Sequence, residues 1–395
     1  MEKDLSQLRE YLSEVDCDGY MIDAGSDNSD QLYISGFSAP DPFISLFTPD
    51  HLALLVSSLE YSRAQNESPA DAVKRWGDYD YQEKRNETDR ETARKAVLAE
   101  FLDEFSVSSI SVPPRFPLRT ADGLRERDIS VTIDANDTVG DIRATKTETE
   151  IDHIRETQRA NERAMQRAEE LIREASVASD GTLQYKGEPL TSERVKQEIE
   201  VTLLRNSCAL DETLVACGPE TAEPHNRGSG PLHAHEPIVI DIFPQNKETD
   251  YHGDMTRTFV KGEPSSEIRE FYETTKSAMD AAFTTLNTAD DITGADVHDA
   301  VCNVYEEAGF QTLRQNENAE TGFIHSTGHG VGLDVHESPS ISPQGNTLEP
   351  GNVITIEPGL YDPDIGGVRI EDLLVVREDG FDNLNSYHKD LIINS

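Results

Sequence analysis

Asp241, Asp254, His329, Glu357 and Glu371 are the residues of this chain whose types and order could hold metal: four carboxylates and one imidazole, each in or beside a short β-like run of the C-terminal half. Four carboxylates brought into one pocket repel one another strongly. Two divalent cations would supply the opposing charge and make their convergence favourable. An oxygen-rich donor set with a single imidazole suits manganese or cobalt better than structural zinc; manganese is the expected ion, cobalt and zinc the alternatives.

The runs around these residues predict how they meet. Ile238-Val239-Ile240-Asp241-Ile242-Phe243 and Tyr251-His252-Gly253-Asp254-Met255-Thr256-Arg257-Thr258-Phe259 both read as strands with a turn between them, so a hairpin would set the two aspartates side by side. Glu357 follows Val353-Ile354-Thr355-Ile356, and Glu371 sits between Gly367-Val368-Arg369-Ile370 and Leu373-Leu374-Val375-Val376, predicting two more strands. His329 belongs to Ser326-Thr327-Gly328-His329-Gly330-Val331-Gly332, whose glycines let the backbone pass close to a ligand or a second strand. This glycine run is no nucleotide loop: it lacks the GxGxxG spacing, the following helix and the downstream acid, and no GxxxxGK[ST] occurs.

Four phrases in order, Asp254-Met255-Thr256-Arg257-Thr258, Gly328-His329-Gly330-Val331-Gly332-Leu333-Asp334-Val335-His336-Glu337, Ile356-Glu357-Pro358-Gly359-Leu360-Tyr361 and Val368-Arg369-Ile370-Glu371-Asp372, resemble the metallopeptidases of the pita-bread fold. That group comprises methionine aminopeptidases, aminopeptidase P, Xaa-Pro dipeptidases (prolidases) and the metal-free creatinases, and the resemblance covers most of the chain. It implies an α+β molecule: a pita-bread catalytic domain with pseudo-twofold αβ halves over residues 145–395, preceded by a smaller α/β creatinase-like N-terminal domain over residues 1–144. One departure concerns the loop between Asp241 and Asp254, which is longer than usual; Asp250 is the alternative ligand if the hairpin register is shifted.

The resemblance also distributes roles. Asp254 and Glu371 would bridge both ions, Asp241 would complete one, and His329 with Glu357 the other. Ions so held lower the pKa of water enough to create a nucleophile at neutral pH, and Glu357 is the expected carrier of the proton toward the leaving nitrogen. His225, in Glu223-Pro224-His225-Asn226, and His336 match the family's substrate histidines and would donate to the carbonyl oxygen as it becomes an oxyanion. His325, Tyr361 and Arg369 are expected on the substrate-binding wall, where an ordinary hydrogen-bonded role is the competing reading. His233, His235, His252 and His298 fall on no family position and on no HExxH spacing.

The reaction implied is hydrolysis of the Xaa-Pro bond at the N-terminus of a dipeptide or short peptide. That bond lacks an amide hydrogen and constrains the chain, so it needs a dedicated pocket. A methionine-aminopeptidase-like exopeptidase is the alternative, disfavoured by the large N-terminal domain. A non-catalytic binding module of the same fold is a further alternative, disfavoured because such modules have lost ligands that are all here. The resemblance implies pairing as a homodimer.

Ile151, Ile154, Ala164, Ala168 and Ile172 mark one face of a long charged helix, and Thr191 or Ser192 caps a second helix reaching about Arg205. Ile268 to Leu286 and Val297 to Val304 predict another helix pair, so a helix-pair-plus-strands unit occurs twice. The first 144 residues alternate strand candidates such as Gly19 to Ile22 and His51 to Ser57 with helical stretches such as Glu83 to Phe105, while Asp27 to Phe37 reads as a loop and a strand. With 76 Asp+Glu against 35 Lys+Arg the net charge is -41, which excludes a nucleic-acid partner. The 36% hydrophobic content and the periodic segments exclude an acidic disordered chain. The balance resembles that of proteins from extreme halophiles, whose surface repulsion is screened at molar salt. No apolar run reaches membrane-spanning length, nothing at the N-terminus resembles a signal peptide, and Cys17, Cys208, Cys217 and Cys302 lack CxxC spacing. A cytoplasmic location with reduced thiols is expected.

Overall fold

Apolar side chains on both faces of Gly19–Ala24, Phe43–Phe47 and Leu52–Val56 make these the centre of a six-stranded sheet in the first of two units, Met1–Arg143; the second is Ala144–Ser395. The computed structural model describes residues 4–287 and 291–393. In the first unit the sheet is mixed, and strand alternation sends Ala53 and Leu55 into one core while Leu54 and Val56 enter the other.

Two expectations for this unit are corrected. The stretch from Glu83 to Phe105 is two helices, Tyr81–Glu87 and Arg90–Glu104, because the Asp89 carboxylate accepts from Glu91 N (2.9 Å) and Thr92 N (3.1 Å) and so starts a new helix. Residues 27–37 hold a helix, Ser29–Ser35, and no strand. Asn28 caps it by accepting from Gln31 N at 2.8 Å, and Gly36 closes it at φ 57°.

The second unit repeats one theme twice. The helices Glu148–Glu174 and Ser192–Arg205 pack together over an antiparallel set, Thr213–Cys217, Ile238–Ile242 and Met255–Lys261, which Ile392–Ile393 extends as a parallel edge. Thr191 is the N-cap of the second helix. The helices Ser266–Leu286 and Gly294–Glu307 pack likewise beside a five-stranded sheet ordered Glu337–Ile341, Gly328–Gly330, Val353–Ile356, Asp372–Arg377, Gly380–Asn383. Each half buries its own apolar cluster. This is the α+β architecture with two αβ halves. No helix among the described residues is long and apolar enough to cross a membrane.

Strand periodicity decides which side chains leave these cores. Ile238, Ile240 and Ile242 belong to the first cluster, so Asp241 projects from the opposite face; Ile354 and Ile356 belong to the second, so Thr355 and Glu357 project away from it.

Candidate metal centre

The two halves face one cleft of about 1030 Å³, and Asp241, Asp254, His329, Glu357 and Glu371 all line it. Asp241 and Asp254 come from the first half, the other three from the second. Asp241 pairs with Thr256 across antiparallel strands, which places Asp254 just before the strand Met255–Lys261 and not within it as the sequence pattern predicts. Asp250, at φ 63°, is tied into the connecting loop through Asp250 N to Asn246 O (2.8 Å) and does not line the cleft. His329 sits in the short strand Gly328–Gly330. A Cβ on Gly328 would stand 2.0 Å from Thr355 O, so the close approach that positions His329 requires glycine there.

Donor atoms of Asp254, His329 and Glu371 lie within 4.8 Å of one another. His329 Nε2 is 3.4 Å from Glu357 Oε1 and 3.7 Å from Asp254 Oδ2. Asp241 stands at the edge of this group. Its Oδ2 accepts from Arg369 Nη2 at 2.6 Å, and its Oδ1 is buried with no hydrogen-bond partner. Burial, reinforced by Glu371, Asp241 and Glu357, holds the Asp254 carboxyl well above the usual range. Burial does the same to Glu371 and lifts Glu357 to about 7, while it lowers His329. An orphaned buried carboxylate oxygen and three carboxyls that resist ionisation beside a neutral imidazole are what divalent cations would resolve, so the donor set fits the group.

The expected substrate-side residues divide. His225 and His336 line the cleft and are exposed to it, the His336 ring meeting that of His329 edge-on at 4.2 Å. His325, Tyr361 and Arg369 form a chain instead. His325 Nε2 lies 3.0 Å from Tyr361 Oη, which accepts from Arg369 Nη1 at 3.1 Å, and Arg369 holds Asp241. Tyr361 is 1% exposed and does not line the cleft. Burial and the Arg369 charge push His325 down to about 3, so it is neutral. None of His233, His235, His252 and His298 lines the cleft; His298 is buried against Thr327, its Nδ1 2.9 Å from Oγ1.

Several supports escaped the sequence reading. On the long helix, Gln158 and Asn161 interrupt the apolar stripe that runs through Ile154 and Met165, and this was a legible signal. The Gln158 amide accepts from Asp254 N (2.9 Å) and donates to Asp254 O (2.8 Å), while Asn161 donates to Ile242 O (2.6 Å). Thr256 donates to Glu371 Oε2 at 2.8 Å. Arg257, on the other strand face, spends its five donor contacts on Thr256 O, Glu371 O, Asp372, Tyr387 O and His388 O. Glu212 and Arg227 on the cleft rim carry no motif and gave no signal.

Residues 152–378 match the profile of metallopeptidase family M24, and residues 5–144 match the creatinase/prolidase N-terminal domain. The chain is 28% identical over 399 residues to an Xaa-Pro dipeptidase of Pyrococcus horikoshii, covering 99% of each. It is 34% identical over 266 residues to a probable dipeptidase, PepE, of Mycobacterium tuberculosis, covering 66% of this chain and 63% of that one. Among solved structures, the prolidase of Pyrococcus horikoshii superposes with a TM-score of 0.78 at 27% identity over 98% of this chain and 99% of the other. An X-Pro aminopeptidase of Thermotoga maritima shares the fold, with a TM-score of 0.77 at 24% identity over 97% and 99%.

Proposed function

The chain belongs to metallopeptidase family M24, and from that premise we propose that it hydrolyses the Xaa-Pro bond of dipeptides or short peptides with two divalent ions, manganese the preferred one. The observation that carries this reading is the buried meeting of Asp254, His329 and Glu371, with Glu357 beside them and an unsatisfied Asp241 oxygen at the edge. Asp254 and Glu371 would be shared between the ions, Asp241 would complete one, and His329 with Glu357 the other. When bound, the ions supply Lewis acidity, lowering the pKa of water and polarising a carbonyl.

The remaining chemistry belongs to side chains. Glu357, whose Oε1 lies 3.4 Å from His329 Nε2, takes a proton from the attacking water and passes it to the departing proline nitrogen. His225 and His336 face the cleft where a peptide carbonyl would lie and donate to its oxygen as charge develops. Arg369, through Asp241, and Tyr361, through Arg369, orient a ligand rather than touch the substrate. Residues 145–395 carry the chemistry, and residues 1–144 pair subunits in a homodimer. The net charge of -41 supports a cytoplasm of high salt as the setting.

The test compares an Xaa-Pro dipeptide, an Xaa-Pro tripeptide and a Met-Ala peptide at high salt with added manganese. Turnover of the Xaa-Pro substrates, abolished by a strong chelator and restored by a divalent ion, is the expected result. Preference for Met-Ala, or chelator-resistant activity, would overturn it.

A further inference from the structure

Glu169 lies on the apolar face of the helix Glu148–Glu174, among Met165, Ala168 and Ile172, and is 4% exposed. A carboxylate buried there is costly unless its oxygens are occupied. Arg173 takes Oε1. The other oxygen, Oε2, accepts from the Tyr387 hydroxyl and lies 2.8 Å from His388 Nε2. Earlier on the same helix, Glu162 accepts from Ser386 N, from Ser386 Oγ and, at 2.8 Å, from Tyr387 N. The first-half helix therefore grips residues 386–388 at two points, by backbone and by side chain.

The carbonyls of that segment point the other way, to Arg257, which is 1% exposed. Its Nε donates to His388 O (3.0 Å), and its Nη2 donates to Tyr387 O (3.1 Å) and Asp372 Oδ1 (2.9 Å). Its Nη1 donates to Thr256 O (2.9 Å) and Glu371 O (2.6 Å). A guanidinium is flat and rigid, so the acceptors on one edge decide where the opposite edge lies. Tyr387 O and His388 O thus help to set the backbone of Glu371, whose side chain lines the cleft. On the far side of the segment Tyr272 Oη donates to Lys389 O at 2.9 Å, and Lys389 pairs with Asp372, so the second half holds it as well. None of Glu169, Arg257, Tyr387 and His388 lines the cleft.

We propose that Tyr387 and His388, anchored on Glu169, are positioning residues for the metal centre: through Arg257 they fix the Glu371 backbone and so set the affinity for the divalent ions. The inference rests on the two-ion reading above. Its test is calorimetric titration of chelated protein with manganese at fixed molar salt, in the wild type, Tyr387→Phe, the Tyr387→Phe, His388→Ala double variant and Leu203→Ala, each at a temperature where circular dichroism shows it folded. Leu203, buried in the apolar cluster of the first half, controls for stability loss alone. Partners outside the ligand shell are commonly worth 10- to 100-fold in metal affinity, so the manganese Kd should rise roughly 10-fold in Tyr387→Phe and toward 100-fold in the double variant, with kcat recovering at saturating manganese. Leu203→Ala should melt earlier with its Kd unchanged. A wild-type Kd in the double variant, or an equal loss of affinity in Leu203→Ala, would overturn the positioning role while leaving the peptidase reading standing. A wild type that binds no divalent ion would overturn both.

Discussion

At the scale of single residues, ligands and substrate contacts should separate by metal content. Asp254→Ala or Glu371→Ala removes a carboxylate from the buried group and should empty the centre. His336→Ala should keep its metal and lose roughly 10²- to 10³-fold in kcat, the usual cost of one oxyanion donor. Metal analysis of the purified variants reads this directly; metal loss in His336→Ala equal to that in Asp254→Ala would make it a ligand. Glu357 gives a second prediction, for the metal-free protein. Its folded carboxyl titrates at about 7, above the 4.5 of a free glutamate, so the fold binds more protons than the unfolded chain between those values. Its stabilising contribution is therefore present below about 4.5 and lost as pH rises toward 7. Denaturation of chelated protein at molar salt should show stability falling across that window, with a shallower fall in Glu357→Gln. Manganese should reverse the trend, since the ion needs the ionised form.

At the scale of elements, the long helix Glu148–Glu174 does more than bury an apolar face, because Gln158 satisfies both the N–H and the C=O of Asp254. Gln158→Leu should cost about 1–3 kcal/mol by leaving those buried groups unpaired, with weakened manganese affinity. Chemical denaturation and calorimetric titration check the two halves of that statement; stability lost with affinity unchanged would confine Gln158 to a structural part. The ligand-bearing strands were legible because alternation with isoleucine forces Asp241 and Glu357 off the core side. Asp254 was read as lying within its strand and instead stands one residue before it, since hydrophobic pattern does not report where ladder pairing starts. The split at Asp89 and the helix at Ser29–Ser35 were missed for a related reason: both depend on side-chain caps, and a cap is recognisable only once the chain direction around it is known. Arg369 and Tyr361 had legible positions, but their commitment to Asp241 depends on contacts between distant segments.

At the scale of the whole molecule, a net charge of -41 makes self-repulsion the dominant long-range force in dilute buffer. The protein should lose subunit pairing first and structure next as salt is withdrawn, recovering both as the Debye length shrinks to about 3 Å near 1 M. Sedimentation and circular dichroism across a salt series check this, and a folded, active dimer in dilute buffer would reject adaptation to salt without touching the peptidase assignment. The ion itself should matter as much as the solvent. A ligand bound only by the native state raises stability by mass action, so melting temperature should climb with manganese concentration.

Of the five proposed ligands, two come from the first αβ half and three from the second, and Glu371 N reaches across to Thr256 O at 3.1 Å. Neither half alone offers a full donor set, so occupancy depends jointly on both having reached their native arrangement. An ion held there would thus act as a proofreader of assembly: a chain with either half misdocked would stay empty and inert, and a peptidase formed only when the whole catalytic unit is correct could not cut from a half-made state.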